Sequence, residues 1–165
     1  MKSELLNEQF IQQINQNIGI AHKVSGVYFL DVSDREDVLQ EMMYQLWKSY
    51  EQFDGRSKFS TWMYRVCLNT AFTYHRKNKN NKNESLSLKH LEIAEQGNQH
   101  QEENIKMLFQ AIATLHPLNK AITLLYLDDL SYEEIASITG LTKSNISVRL
   151  VRIKKELEIQ LKKII

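Results

Sequence analysis

The chain has 165 residues, 42% of them hydrophobic and 25% charged, with a formal net charge of +1. One proline and five glycines are too little punctuation for a many-stranded β fold and favour helices, while the single cysteine, Cys67, excludes an internal disulfide. The length suits one domain or two small ones, each with a modest core.

In chain order, Leu6, Phe10, Ile14 and Ile18 recur every four residues, with Leu5 and Ile11 beside them. That spacing predicts a helix with one buried stripe. The opening residues contain no long apolar stretch of the kind that heads a secretory signal, and no run approaches the length needed to cross a bilayer, so a cytoplasmic chain is expected. A second helix is predicted from Ser33 or Asp34, either of which can cap it, with Glu36 and Asp37 favourable in its first turn. Val38, Met42, Leu46 and Tyr50 mark its inner face, widened by Leu39, Met43 and Trp47. After a polar loop over Phe53–Phe59, a third helix runs from about Ser60 to Lys77.

From Asn78 to Gln101 the helical period is lost except in the short Leu86–Ile93 patch, which reads as a linker with at most one brief helical turn. Ile105, Leu108, Phe109, Ile112 and Leu115 restart the period, and Pro117 stands at a helix start. Ser131-Tyr132-Glu133-Glu134 is a Ser-x-x-Glu capping box. Ile135, Ala136 and Ile138 follow, and Gly140 sits where a helix would end in a left-handed turn. Thr142 or Ser144 can then cap a long helix carrying Ile146, Leu150, Ile153 and Leu157. Two helices around a glycine turn, the second with a basic outer face, form a helix-turn-helix. The fold class expected is therefore all-α: two small helical domains, 1–77 and 104–165, joined by a flexible linker over 78–103.

Charge is unevenly placed. From Lys143 to Lys163 there are seven Lys or Arg against Glu156 and Glu158, a local balance of +5, and Arg76–Lys89 carries +4. Basic stretches separated by neutral or acidic ones suit a DNA contact combined with a protein contact. The candidate DNA-reading residues near the start of the last helix are Lys143, Ser144, Asn145, Ser147 and Arg149, with Arg152 one turn later. By itself the pattern also fits helical hairpins that bind no DNA. A second candidate cluster runs through Asp54, Gly55, Arg56, Ser57, Lys58, Phe59, Ser60 and Thr61 into Trp62, Tyr64, Arg65 and Asn69. Aromatic faces stack on unpaired bases, and Arg and Asn hydrogen-bond base edges or phosphates. Aromatics at helical spacing are as readily core residues. Trp62 and Tyr64, two apart on a helix, cannot both face the same way.

The five histidines lie at 22, 75, 90, 100 and 116, with no His-x-x-x-His pair and no second cysteine. No metal site, cofactor or catalytic residue is expected, since the nucleotide-cradling and nucleophile-elbow glycine motifs are missing as well.

In order and wording, these pieces resemble the extracytoplasmic-function (ECF) sigma factors of bacterial RNA polymerase. Asp34-Arg35-Glu36-Asp37-Val38-Leu39-Gln40-Glu41 with Leu46-Trp47 is similar to the family helix that grips the clamp of the β′ subunit. The Phe53–Asn69 stretch is similar to its strand-opening segment, and the closing helix-turn-helix to the domain that reads the minus-35 element. The likeness covers roughly Asp34–Lys77 and Leu115–Leu157. It implies a non-enzymatic initiation factor whose partners are core polymerase, promoter DNA and an anti-sigma protein. Asp34, Asp37, Gln40, Glu41, Leu46 and Trp47 would bind core polymerase, which the chain meets through its β′ clamp and β subunits. The Asp54–Ser60 loop would hold a base flipped from the minus-ten element, with Tyr64, Arg65 and Asn69 on neighbouring nucleotides and His75 and Arg76 near phosphates. The linker would thread through polymerase, and an anti-sigma protein would hold the chain inactive. At Ser147 and Val148 many relatives have a basic residue and a serine, whereas Arg149 and Arg152 match the usual basic positions. The alternative reading is a free-standing helix-turn-helix regulator acting as a dimer on palindromic DNA.

Overall fold

The computed structural model describes residues 1–78 and 99–165, and they are helical apart from short connections. The elements are α1 (Lys2–Tyr28), α2 (Val32–Ser49), a single 3-10 turn (Tyr50–Gln52), α3 (Phe59–Asn78), α4 (Gln99–Ala113), α5 (Pro117–Leu127), α6 (Tyr132–Thr139) and α7 (Lys143–Ile164). Contacts divide the chain into two units, one of Met1–Gly26 with Val32–Asn83 and one of Val27–Asp31 with Glu84–Ile165. The Leu86–Ile93 patch lies outside the described residues.

The first unit is built on α2 and α3, which pack along their length. Val38, Met42 and Leu46 of α2 and Met63, Tyr64, Cys67, Leu68 and Ala71 of α3 are buried between them. The α2 set recurs every four residues and the α3 set at spacings of three and four, so one face of each helix loses its water contact, and that burial drives the pairing. The first helix runs ten residues beyond the Ile18 end of the sequence pattern, because Ile20, Ala21 and Val24 continue a buried face past Gly19. Phe10 and Ile14 are buried as expected, whereas Leu6 at the head of the stripe is exposed, as are Leu5 and Ile11 beside it.

In the second unit α7 packs against α4, α5 and α6. Ile146, Leu150 and Ile153 from α7 are buried with Ile112, Ala121, Ile122, Leu124, Leu125 and Ile135. Local signals set the helix ends. Pro117 occupies the first turn of α5, where its missing N–H costs nothing. The Ser131 hydroxyl accepts from the Glu134 backbone N–H at 3.1 Å, and the Ser131 N–H donates to the Glu134 carboxylate at 2.7 Å. Gly140 then ends α6 with φ +76°, a left-handed conformation that costs other L-residues about 1–2 kcal/mol. Thr142 caps α7 by accepting from the Asn145 N–H at 3.1 Å, so Ser144, the other candidate cap, lies inside the helix. The α4 helix begins at Gln99, five residues inside the stretch that the sequence reads as linker. Gln99–Glu103 is polar and gives no apolar stripe to read, yet it extends the helix whose later residues Ala111 and Ile112 are buried.

Candidate nucleic-acid interface

The interface in the second unit begins with how α7 is held. Its inner stripe is buried, which leaves Lys143, Ser144, Asn145, Ser147, Val148 and Arg152 on the open side. Thr142, Ser144, Asn145, Val148, Arg149 and Arg152 line a cleft of about 550 Å³, joined by Asn119 from α5. The Arg149 guanidinium is held from two sides: its Nε–H donates to Asn145 Oδ1 at 2.9 Å and its Nη1 to Asn119 Oδ1 at 3.2 Å. The Lys143 ammonium lies 2.7 Å from the Glu133 carboxylate on α6. Their hydrogen bond holds the Glu133 carboxyl below its ordinary range and the Lys143 ammonium above it, though both side chains are well exposed. Lys143 thereby ties the start of α7 to α6. Asn119 is the residue that the sequence did not offer: a lone asparagine after Pro117 carries no signal, and only the packing of α5 on α7 brings it to the cleft.

In the first unit the loop before α3 is shaped by two features. Gly55 adopts φ +76°, and the Asp54 carboxylate accepts from the Arg56 N–H at 3.0 Å while pairing with Arg56 Nε at 3.0 Å. The loop closes on an aromatic cluster. Ring centroids separate Trp62 from Phe53 by 5.2 Å, from Phe59 by 5.3 Å and from Tyr50 by 6.2 Å. Trp62 is half-buried there and keeps part of its ring in solvent. Arg56, Lys58, Asn69 and Arg76 are exposed, and Ser57, Ser60 and Arg65 are half-buried.

Four residues assigned to contacts by sequence are instead core. Leu46 is wholly buried, Tyr64 is 1% exposed, and Thr61 and Phe59 are buried too. Packing of α3 on α2, and of Phe59 against Tyr50, Phe53 and Trp62, encloses these side chains within the first unit. Tyr64 thus faces inward and Trp62 outward, as their two-residue spacing demands. Asp34 is half-buried, and Asp37, Gln40, Glu41 and Trp47 are exposed on α2. Asp37 receives the Tyr74 hydroxyl at 3.4 Å, and Trp47 meets Phe10 edge-on at 5.3 Å. Glu41 and Asn69, assigned to different partners, line one cleft of about 480 Å³ together with Gln45, Thr73, Tyr74 and Lys77.

Comparison with known proteins follows this two-part geometry. Residues 14–81 match Sigma-70 region 2, and residues 105–157 match Sigma-70, region 4. The ECF RNA polymerase sigma-E factor of Escherichia coli (strain K12) is 30% identical, with 83% of this chain and 80% of that protein covered. The chain belongs to the ECF sigma factors. The sigma-E factor of Haemophilus influenzae is 28% identical over 96% of each chain. The fold of this sigma factor is also that of two solved structures. One is the sigma factor RpoE in complex with the anti-sigma factor NepR from Bartonella quintana, with a TM-score of 0.73, 19% identity and 94% and 98% of the two chains covered. The other is CnrH in complex with the cytosolic domain of CnrY, with a TM-score of 0.67, 18% identity and 95% and 90% covered. As a sigma factor the protein directs RNA polymerase to promoters at transcription initiation. None of its described helices is long and apolar enough to cross a membrane.

Proposed function

We propose that this sigma factor divides its work between domains spanning 1–77 and 104–165, joined through 78–103. The exposed α2 residues Asp37, Gln40, Glu41 and Trp47, with Asp34, dock on the β′ clamp of core polymerase. The Asp54–Ser60 loop with the open part of Trp62 holds the displaced strand of the minus-ten element, where extruding a base costs a few kcal/mol that stacking returns. Arg65 and Asn69 contact neighbouring nucleotides, and Arg76 lies along phosphates. In the second domain Lys143, Ser144, Asn145, Ser147, Arg149 and Arg152 enter the major groove of the minus-35 element. Neither domain needs tight DNA affinity alone, because tethering on polymerase supplies effective concentration. The protein acts without catalysing a reaction itself, in the cytoplasm. An anti-sigma factor partner is proposed on the two structural relatives, each solved in complex with another protein, NepR in one case named as an anti-sigma factor.

The observation that carries the reading is the gathering of the α7 polar residues on one open cleft while the opposite stripe of the same helix is buried. It is tested by co-elution with bacterial core polymerase, using Asp37→Ala and Gln40→Ala as controls, followed by promoter binding of the assembled holoenzyme. A stoichiometric complex weakened by those changes supports it. Undiminished binding of polymerase by both variants would overturn the assignment of the α2 residues to the clamp.

A further inference from the structure

We infer that Asn119 is a positioning residue for promoter recognition, holding the Arg149 guanidinium in place before DNA arrives. This rests on the proposed reading of α7 as the promoter-reading helix. A guanidinium has five N–H donors. In Arg149 the Nε–H is used on Asn145, one turn earlier on the same helix, and one Nη1 proton on Asn119, thirty positions away in the chain. The three remaining protons all belong to the two terminal nitrogens. With Nε–H engaged within the protein, what Arg149 offers DNA is the set of protons left on its two terminal nitrogens. Those protons suit acceptors on a duplex such as the O6/N7 edge of guanine or the oxygens of a phosphate.

A long, rotamer-rich arginine that must be immobilised on binding loses affinity, and fixing it beforehand recovers that loss. Asn145 alone fixes Arg149 only along its own helix. Asn119 adds an anchor from α5, so the guanidinium is set relative to the domain. The Asn119 side chain lines the cleft from α5, and its Oδ1 is the atom that receives Arg149, while its backbone carbonyl accepts from the Thr123 hydroxyl at 2.7 Å within α5.

The test uses the full chain assembled with core polymerase and a promoter duplex recovered from a randomised library by the wild-type holoenzyme. Binding is measured for Arg149→Ala, Asn119→Ala, the volume-keeping Asn119→Leu and the double variant. Arg149→Ala is expected to weaken binding roughly tenfold or more. Either Asn119 variant is expected to weaken it roughly threefold to tenfold, with the melting temperature of the free chain unchanged. In the Arg149→Ala background the Asn119 change adds less than about twofold. Single base-pair substitutions and single methylphosphonates then locate the loss, which must fall at the same base pair or phosphate for both residues and so separates the two DNA groups. Full additivity of the two changes, a loss at a different position, or no loss with Asn119→Leu overturns the positioning role while leaving α7 as the reading helix. No effect of Arg149→Ala, or failure of the selection to return any duplex, overturns that reading and the inference with it.

Discussion

Replacing Trp62 with alanine separates the structural and functional parts of the aromatic cluster. The indole packs on Phe53, Phe59 and Tyr50 at centroid distances of 5.2, 5.3 and 6.2 Å. Each aromatic pair contributes about 0.5–1.5 kcal/mol beyond its area burial. Truncating a fully buried tryptophan costs about 3–5 kcal/mol. Trp62 is only half-buried, so a loss of about 2–3 kcal/mol is expected. With a denaturant slope of about 1.5 kcal/mol/M for a unit this small, the urea midpoint of the first unit should fall by about 1–2 M. Circular dichroism is the suitable readout, because removing Trp62 leaves Trp47 as the one remaining indole for fluorescence. Trp62→Phe keeps a ring against Phe53 and Phe59 and should lose about 1 kcal/mol or less. In the holoenzyme, the phenylalanine variant should bind polymerase normally yet open promoter DNA more slowly than wild type, since a smaller ring stacks less well on an unpaired base. An unchanged urea midpoint for Trp62→Ala would refute the packing account. Equal losses of polymerase binding and promoter opening in Trp62→Phe would refute the strand-holding role.

Leu46→Ala should cost about 2–5 kcal/mol of stability, whereas Trp47→Ala should cost far less and instead weaken complex formation with core polymerase; both are read by urea melts and co-elution. Gly140→Ala should destabilise the second unit by about 1–2 kcal/mol through backbone strain alone, because a Cβ there meets no atom within 4 Å. Gly140→Asn should recover part of that loss in thermal melts, since asparagine tolerates the left-handed region. Burial pushes the Cys67 thiol from 9.0 up to about 12. Its contribution to stability is therefore complete below the unfolded-state value near 9 and declines as pH rises toward 12, at about 1.4 kcal/mol per pH unit. A thiol reagent at pH 8 should label the lone cysteine only after denaturant is added, and fast labelling of the native chain would contradict its burial.

Local chemistry was readable without coordinates wherever neighbours in sequence are neighbours in space. The Ser131–Glu134 capping box, Pro117 at the head of α5 and the Gly140 stop each depend on a few consecutive residues, and the helical period of apolar residues placed Val38, Met42, Ile146 and Leu150 inside. The family wording of Asp34–Glu41 and Phe53–Asn69 was legible in the same way. The sequence could narrow but not decide which of two aromatics on α3 faces inward, since periodicity fixes relative directions and not which partner helix claims a face. Packing of α2 on α3 took Tyr64 and Leu46 into the core and left Trp62 and Trp47 partly open. It also set Glu41 beside Asn69 in one cleft. Asn119 is the extreme case: a polar residue on a different helix, thirty positions from Arg149, whose hydrogen bond exists only because buried apolar faces press α5 and α7 together. Hydrophobic burial is non-directional, so the sequence determined which helices form and which stripes they bury, and only the tertiary arrangement decided which polar side chains meet at the surface.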